Sequence, residues 1–155
     1  MENKIQELTE KLFHEGVEKG NAEAARLIEA CPEKNALLAV WKAYLKNDVA
    51  AIAAAEKENI DLVFPFREES FAPLQWAVDN GGKWQSRYML AMLKDFLGDK
   101  AAAKELVSAD DSDLDTYYGY RYTLTGEKTD LEKARDLNPG EWRHIQNLAL
   151  KYYGE

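Results

Sequence analysis

The chain has 155 residues, a length that suits one domain with a sizeable hydrophobic core. Hydrophobic residues make up 46% of it and charged residues 31%, which is the balance of an ordinary globular protein. Its formal net charge is −8, and no window of the sequence is strongly basic. Because nucleic acids and anionic membrane surfaces are bound by basic faces, the composition argues against both kinds of partner.

The sequence also bears on cross-links and location. A single cysteine, Cys31, cannot form an internal disulfide or a CxxC metal pair, and we expect it to be a small apolar filler near a helix end. No run approaches the roughly 18 continuous apolar residues of a membrane span, and the polar N-terminus lacks the apolar core of a signal peptide. We therefore expect a cytoplasmic protein, although a longer parent protein could be exported.

The periodicity of the apolar residues is helical along nearly the whole chain. In the first helix, for example, Ile5, Leu8 and Leu12 form one apolar stripe. Glycine, asparagine and proline residues punctuate the pattern at the places where helices are expected to end. We predict ten short helices, at about residues 4–19, 22–30, 35–46, 49–58, 71–79, 84–97, 99–108, 113–125, 129–137 and 140–153.

Residues 60–67, with the sequence IDLVFPFR, carry no helical signature. Pro65 disfavours a helical conformation at Phe64, and since the sequence offers no partner strand, we predict an extended connector. Ser70 is then placed to cap the following helix. The chain is expected to form a single domain, 1–155, with a first helical part at 1–59, the connector at 60–69 and a second helical part at 70–155.

An internal repeat relates the two helical parts. The turn residues Gly20, Asn47, Gly98 and Gly126 are spaced by 27, 51 and 28 residues, so two neighbouring pairs share nearly one period. The fifth and eighth residues after each turn are apolar and lie on one face of the following helix. These eight positions are Ala25, Ile28, Ile52, Ala55, Ala103, Leu106, Leu131 and Ala134.

These offsets resemble the tetratricopeptide repeat (TPR), in which a large-small residue pair in a first helix is followed by a glycine turn and an alanine in a second helix. The pairs Leu90-Ala91 and Tyr118-Gly119 match, whereas the first two units carry larger residues, Val40 among them. The period is also shorter than the roughly 34 residues of the family. The resemblance implies an all-α fold, a TPR-like right-handed solenoid of α-hairpins interrupted by the connector.

A narrower resemblance covers about residues 60–155. The stretches VFPFREESFAPLQWA and WQSRYMLAMLKDFLG are similar to the helical tail of large bacterial proteins that join an N-terminal β-rich domain of unknown function, sugar-enzyme-like in character, to TPR repeats. The matching stretches carry no catalytic motif. The resemblance implies an uncharacterised bacterial family and a link to carbohydrate metabolism through a further domain.

Catalytic and metal-binding motifs do not stand out in the sequence. His14 and His144 lack a second His or Cys one helical turn away, which a zinc site on a helix requires. An acidic turn is not a calcium loop, because positions six and twelve counted from Asp111 are Thr116 and Tyr122 rather than Gly and Glu. We therefore expect no metal, no cofactor and no enzyme activity.

Aromatic and arginine side chains recur on three successive helices of the first, or A, type. Because Tyr, Trp and Arg dominate binding hot spots, they could line a ligand groove on the concave side of a solenoid. The alternative is that the large rings fill the core between short helices. In the connector, Arg67 is either a ligand contact or a residue anchored by a helix C-terminus. The candidate groove residues are Trp84, Arg87, Tyr88, Tyr117, Tyr120, Arg121, Trp142, Arg143 and Arg67.

The repeat favours a non-catalytic binding or scaffolding module with a protein or peptide partner, because stacked hairpins form an extended concave surface. One alternative is an accessory domain of a carbohydrate-active enzyme, in which exposed Trp and Tyr side chains stack on sugar rings. Another is self-association into a homo-oligomer through the closing helix, where Ile145, Leu148 and Leu150 lie on more than one face. Fold analogy alone does not choose among these functions.

Overall fold

The computed structural model describes residues 22–23, 26–28, 30–32, 34–61, 63–108 and 110–153, with the side chains of all but the last two. Every regular element in this part of the chain is helical, which confirms the predicted all-α class. None of the described helices is long and apolar enough to cross a membrane. The predicted first helix, at about residues 4–19, lies outside the described residues.

The described helices are short and follow one another closely. Short 3-10 turns at Val49–Ala51 and Glu68–Ser70 lead into the second and third of them, and a π-helical turn at Ala149–Tyr153 follows the last. Some residues between 22 and 30 are also helical, as predicted. The α-helices are α1 (Ala36–Leu45), α2 (Ile52–Ala55), α3 (Phe71–Asp79), α4 (Trp84–Phe96), α5 (Lys100–Val107), α6 (Asp115–Thr125), α7 (Lys128–Leu137) and α8 (Trp142–Leu148).

The predicted helix bounds hold for six of these elements and are wrong for two. The bounds of α3 are the predicted ones, and those of α1 and α4 to α7 agree within two residues. The predicted helix 49–58 already ends at Ala55, because the chain turns back and the Asn59 carbonyl accepts a hydrogen bond from the Ala36 N–H at 2.8 Å. The closing helix, predicted at 140–153, is α-helical at Trp142–Leu148 and then widens into the π-helical turn.

Two of the four turns that suggested the repeat, at Asn47 and Gly98, have the same local geometry. Asn47 and Gly98 both adopt a positive φ, of 49° and 98°, which ends α1 and α4 in the left-handed region where Gly and Asn are tolerated. In each case an aspartate follows, Asp48 or Asp99, and its carboxylate accepts the N–H of the third residue on, at 3.3 and 3.1 Å. The α1–α2 and α4–α5 hairpins are therefore closed by turns of the same type.

Packing follows the order of the chain. From α3 onward each helix packs against the next, and α1 contacts α2, α3 and α4. Of the eight apolar repeat positions, six are buried, Leu106 is half-buried, and Ala25 lies outside the described residues. The register read from the sequence is thus the register of the core. Its most completely buried large side chains include Val40, Leu74, Met89, Leu90, Leu93, Val107, Tyr117 and Leu131.

A long-range cap joins the first hairpin to α4. The Glu56 carboxylate, just after α2, accepts the N–H groups of Gln85 and Ser86 at 3.0 and 2.8 Å and also the Ser86 hydroxyl. These N–H groups belong to the first turn of α4, which has no partners inside its own helix. No local sequence pattern predicts this contact, because the capping residue lies about thirty positions upstream.

Ser70 has a different role from the predicted one. In the described part of the chain its side chain makes no capping bond to α3. Instead the buried Ser70 hydroxyl accepts a hydrogen bond from the Trp41 indole N–H at 3.2 Å. A buried Trp needs a partner for its N–H, so this serine ties the end of the connector to α1.

We predict that Gly82→Ala destabilises the fold. Gly82 closes the turn after α3, and its N–H donates to the Ala77 carbonyl at 2.8 Å. A Cβ added there would lie 2.7 Å from that backbone oxygen and 2.9 Å from the Ser86 side chain. Overpacking of this kind costs about 1–3 kcal/mol, and a urea titration would show it as a lower unfolding midpoint.

Gly140→Ala is the matched control, since a Cβ at Gly140 meets nothing within 4 Å among the described residues. We expect a change within about 0.5 kcal/mol for that variant, as for ordinary surface substitutions. Equal midpoints for the two variants would contradict the tight turn at Gly82.

Candidate binding groove

The C-terminal end of α5 is held by side chains rather than by a glycine cap. The Arg87 Nε donates to the Leu106 carbonyl at 3.0 Å. The Val107 carbonyl accepts from the Tyr117 hydroxyl at 2.9 Å and from the Arg121 guanidinium at 3.3 Å. The last carbonyls of a helix lack partners inside it. Arg87, Tyr117 and Arg121 therefore cap the C-terminal end of α5 with their side chains.

Arg121 also forms a buried ion pair. Its Nε lies 2.8 Å from Asp130 Oδ1, and both side chains are at most 10% exposed. The second oxygen of Asp130 accepts the Thr125 hydroxyl at 2.6 Å. Burial by itself would lower the pKa of Arg121, but the hydrogen bond and charge of Asp130 outweigh it and raise that pKa. The pair joins α6 to α7.

The aromatic side chains of α4 and α6 pack edge to face. Trp84 and Tyr88 both contact the Tyr117 ring, with centroids 5.5 and 5.4 Å apart. Tyr88 also contacts Tyr120 at 5.6 Å. Tyr88 and Tyr117 are buried, whereas Trp84 and Tyr120 are partly exposed. For Tyr88, Tyr117 and Arg121, the structure therefore favours the second interpretation of the sequence, in which these side chains fill the core.

The remaining candidate residues lie apart from that cluster. Trp142 is 64% exposed at the start of α8. Next to it, the exposed Arg143 pairs with Glu141 at 2.8 Å. Arg67 is partly buried at the end of the connector, 3.6 Å from Glu69. The structure does not bring all nine predicted residues together on one surface.

A groove that the sequence did not predict runs between the connector and the faces of α4 and α6. Its volume is about 930 Å³. The connector contributes residues 60, 61 and 63–66 to its lining. The helices contribute Tyr88, Met92, Asp95, Phe96, Thr116 and Tyr120. We call this feature the aromatic groove.

Three phenylalanines of the aromatic groove face solvent. Phe96 is 65% exposed, Phe64 58% and Phe66 38%. Single exposed apolar side chains are ordinary, but several around one concave surface are typical of an interaction site. The sequence did place Phe64 and Phe66 in an extended connector. It gave no indication of the helix face that the connector approaches.

The charged side chains that line the groove are all acidic. Asp61 and Asp95 lie in its lining, and none of the described residues that line it is Lys or Arg. Asp95 accepts the Tyr120 hydroxyl at 3.2 Å and pairs with the exposed Lys100 at 2.7 Å. Asp61 is exposed. A cationic group on a ligand would meet Asp61 first.

Metal binding gains no support from the described residues. Among them, no group of three or more His, Cys, Asp or Glu side chains is arranged to hold a metal ion. His144 is buried and pairs with Asp115 at 2.7 Å, which docks α8 on the start of α6. The features of the groove that a ligand could contact are its concave surface, its aromatic side chains and its negative charge.

The comparisons with known proteins leave the family open. No protein-family model, no curated protein and no solved structure gives a significant match to this chain. The TPR resemblance therefore stays a prediction.

We predict that Arg121→Ala strongly destabilises the protein. The substitution leaves the Asp130 carboxylate buried without its cation and removes a donor from the Val107 carbonyl. Breaking a buried ion pair costs about 3–5 kcal/mol. Chemical denaturation would measure the loss. Arg135→Ala is the control, because Arg135 pairs with its neighbour Asp136 at the surface. A surface pair is worth at most about 1 kcal/mol, so equal losses would refute the role of Arg121.

We predict an alkaline loss of stability that follows tyrosine ionisation. Burial raises the pKa of Tyr88 and of Tyr117 from 10.0 to about 12. Burial and the Asp95 charge also raise the pKa of Tyr120. Because the folded pKa values exceed the unfolded ones, this contribution to stability is complete below pH 10 and is lost as the pH rises through about 12.

Tyrosinate absorbance during a pH titration, together with circular dichroism, checks this expectation. Tyr88→Phe should remove one of the late-ionising groups. Ionisation of every tyrosine near pH 10 with the fold intact would show that these hydroxyls are not buried as described.

Proposed function

We propose that this protein is a non-catalytic TPR-like binding module, that its ligand is a protein or peptide segment, and that the aromatic groove is its binding site. The observation that carries the proposal is the groove itself, which is open, apolar and flanked by three exposed phenylalanines. Its volume of about 930 Å³ lies within the range of ligand sites, roughly 300–1,000 Å³.

The position of the groove in the repeat supports the proposal. In a TPR-like arrangement α1, α4, α6 and α8 are the A helices, the first three because each precedes a hairpin turn, and α2, α5 and α7 are the B helices. Two successive A helices, α4 and α6, line the groove. Stacked repeats use the concave surface formed by equivalent helices for binding, so the lining of the groove by two proposed A helices supports it as the binding site.

Two other functions remain alternatives. An accessory role in carbohydrate binding draws on the same exposed aromatic rings. Self-association draws on the closing segment, where Trp142, Ile145 and Leu150 are 64%, 50% and 66% exposed. Each alternative predicts a different result in one set of measurements.

The test compares two exposed aromatic residues of equal accessibility. Phe96 lies in the aromatic groove and is 65% exposed, and Trp142 lies on α8 and is 64% exposed. Peptides selected from a displayed random library on the wild-type protein should lose about tenfold in affinity on Phe96→Ser, as expected when one aromatic contact worth about 1.4 kcal/mol is removed. Trp142→Ser should bind them as the wild type does.

Selection of no peptide, or equal binding by both variants, would contradict the proposal. A response to an oligosaccharide panel that is lost in Phe96→Ser would favour the carbohydrate function instead. A concentration-dependent increase in mass by light scattering, abolished by Trp142→Ser, would favour self-association.

A further inference from the structure

The connector has the pattern of an unpaired edge strand. Its side chains alternate, with Val63 and Pro65 buried and Phe64 and Phe66 exposed. Period-two alternation is characteristic of extended backbone. Pro65 also restricts Phe64 to the extended region, and Arg67 has φ −93° and ψ 125°, which is extended. The chain beside the groove is therefore strand-like along residues 63–67.

The backbone N–H groups of this segment differ between alternate residues. The Val63 N–H donates to the Ile60 carbonyl at 3.2 Å, and Pro65 has no N–H. By contrast, within the described part of the chain the N–H and C=O groups of Phe64 and Phe66 make no hydrogen bond. In extended backbone, residues two apart direct these groups to the same edge. Phe64 and Phe66 thus supply two donors and two acceptors along one edge.

We propose that the aromatic groove binds its partner by strand addition: an extended peptide segment of another protein pairs with the backbone of Phe64 and Phe66. This inference rests on the proposed function and specifies its ligand. Main-chain hydrogen bonds supply affinity in such complexes, while pockets for alternate side chains supply specificity. The proline lies at the position where no donor is needed, so it does not interrupt the free edge.

The groove also determines which side chains the peptide carries. Alternate residues of an extended peptide point to one face, so every second side chain enters a surface formed by Met92, Phe96 and the connector phenylalanines. Apolar side chains fit there. At the polar end, Asp61 carries a carboxylate with no ion pair among the described residues. A Lys or Arg is therefore favoured at the peptide position that reaches Asp61.

A peptide fits these features better than the two other candidate ligands, a sugar and a second copy of this chain. A sugar can stack on the phenylalanines, but it does not present donors and acceptors at a strand-like repeat. A second copy of this chain carries the same net charge of −8, so pairing connector to connector would have to overcome repulsion between two acidic proteins. A cationic peptide meets both the free edge and the net charge of −8.

The experiment uses an N-acetylated, C-amidated eight-residue peptide of alternating valine and lysine as the probe. On the full chain, we expect binding to slow hydrogen exchange at the Phe64 and Phe66 amides, measured by NMR. Replacement of every lysine of the probe by glutamate should abolish binding, because Asp61 and Asp95 then repel it.

A matched pair of variants isolates the backbone donor. Phe66→Pro and Phe66→Ala both lose the ring, but only the proline variant also loses the N–H. Since proline is compatible with extended backbone, both should fold, which circular dichroism checks. Phe66→Pro should bind the probe about fivefold more weakly than Phe66→Ala, the effect of one neutral hydrogen bond.

The outcomes separate this inference from the function on which it rests. If the probe or a selected peptide binds in a Phe96-dependent way while the Phe64 and Phe66 amides exchange as before, strand addition is overturned and the binding function stands. If displayed peptides bind the groove but the valine–lysine probe does not, the inferred ligand class is overturned. If no peptide binds, both fail.

Discussion

The last two carbonyls of α5 impose the constraint on which the second half of the molecule depends. This helix ends without a glycine cap, so its terminal acceptors need donors from elsewhere. Arg87 of α4 binds the Leu106 carbonyl, and Tyr117 and Arg121 of α6 bind the Val107 carbonyl. One helix end therefore fixes the relative positions of α4 and α6. The burial of the Arg121 charge in turn requires a buried anion, which α7 supplies.

These contacts determine which side of α4 and α6 is left without packing partners from α5 and α7. The arginines and the most buried tyrosines are committed to α5 and α7, so they cannot also form the recognition surface. The side of α4 and α6 that carries the exposed Phe96 and the half-buried Met92 and Tyr120 is not used in these contacts. The connector lies against that side and closes it into the aromatic groove. The structural use of one face thus leaves the proposed binding site to the other.

Local sequence patterns were enough to predict the helices, their turns, the buried repeat positions and an extended connector. They could not decide between core and groove for the aromatic residues. Tyr117 and Tyr118 point about 100° apart on an α-helix, yet both are buried, because α6 packs against α5 on one side and α7 on another. The Glu56 cap and the Trp41–Ser70 bond were missed for a related reason, since each joins residues that only the tertiary fold brings together.

The connector interrupts the succession of helices, and two of its exposed side chains need an explanation. A segment whose sole purpose was to span two helical parts would gain from the buried Val63 and Pro65 but not from two exposed phenylalanines. Exposed aromatic side chains contribute little to stability and increase the tendency to associate. Polar residues at both positions would keep the span and the buried contacts. The presence of Phe64 and Phe66 beside Phe96, along a backbone edge with free donors and acceptors, is therefore better explained by a ligand than by the fold.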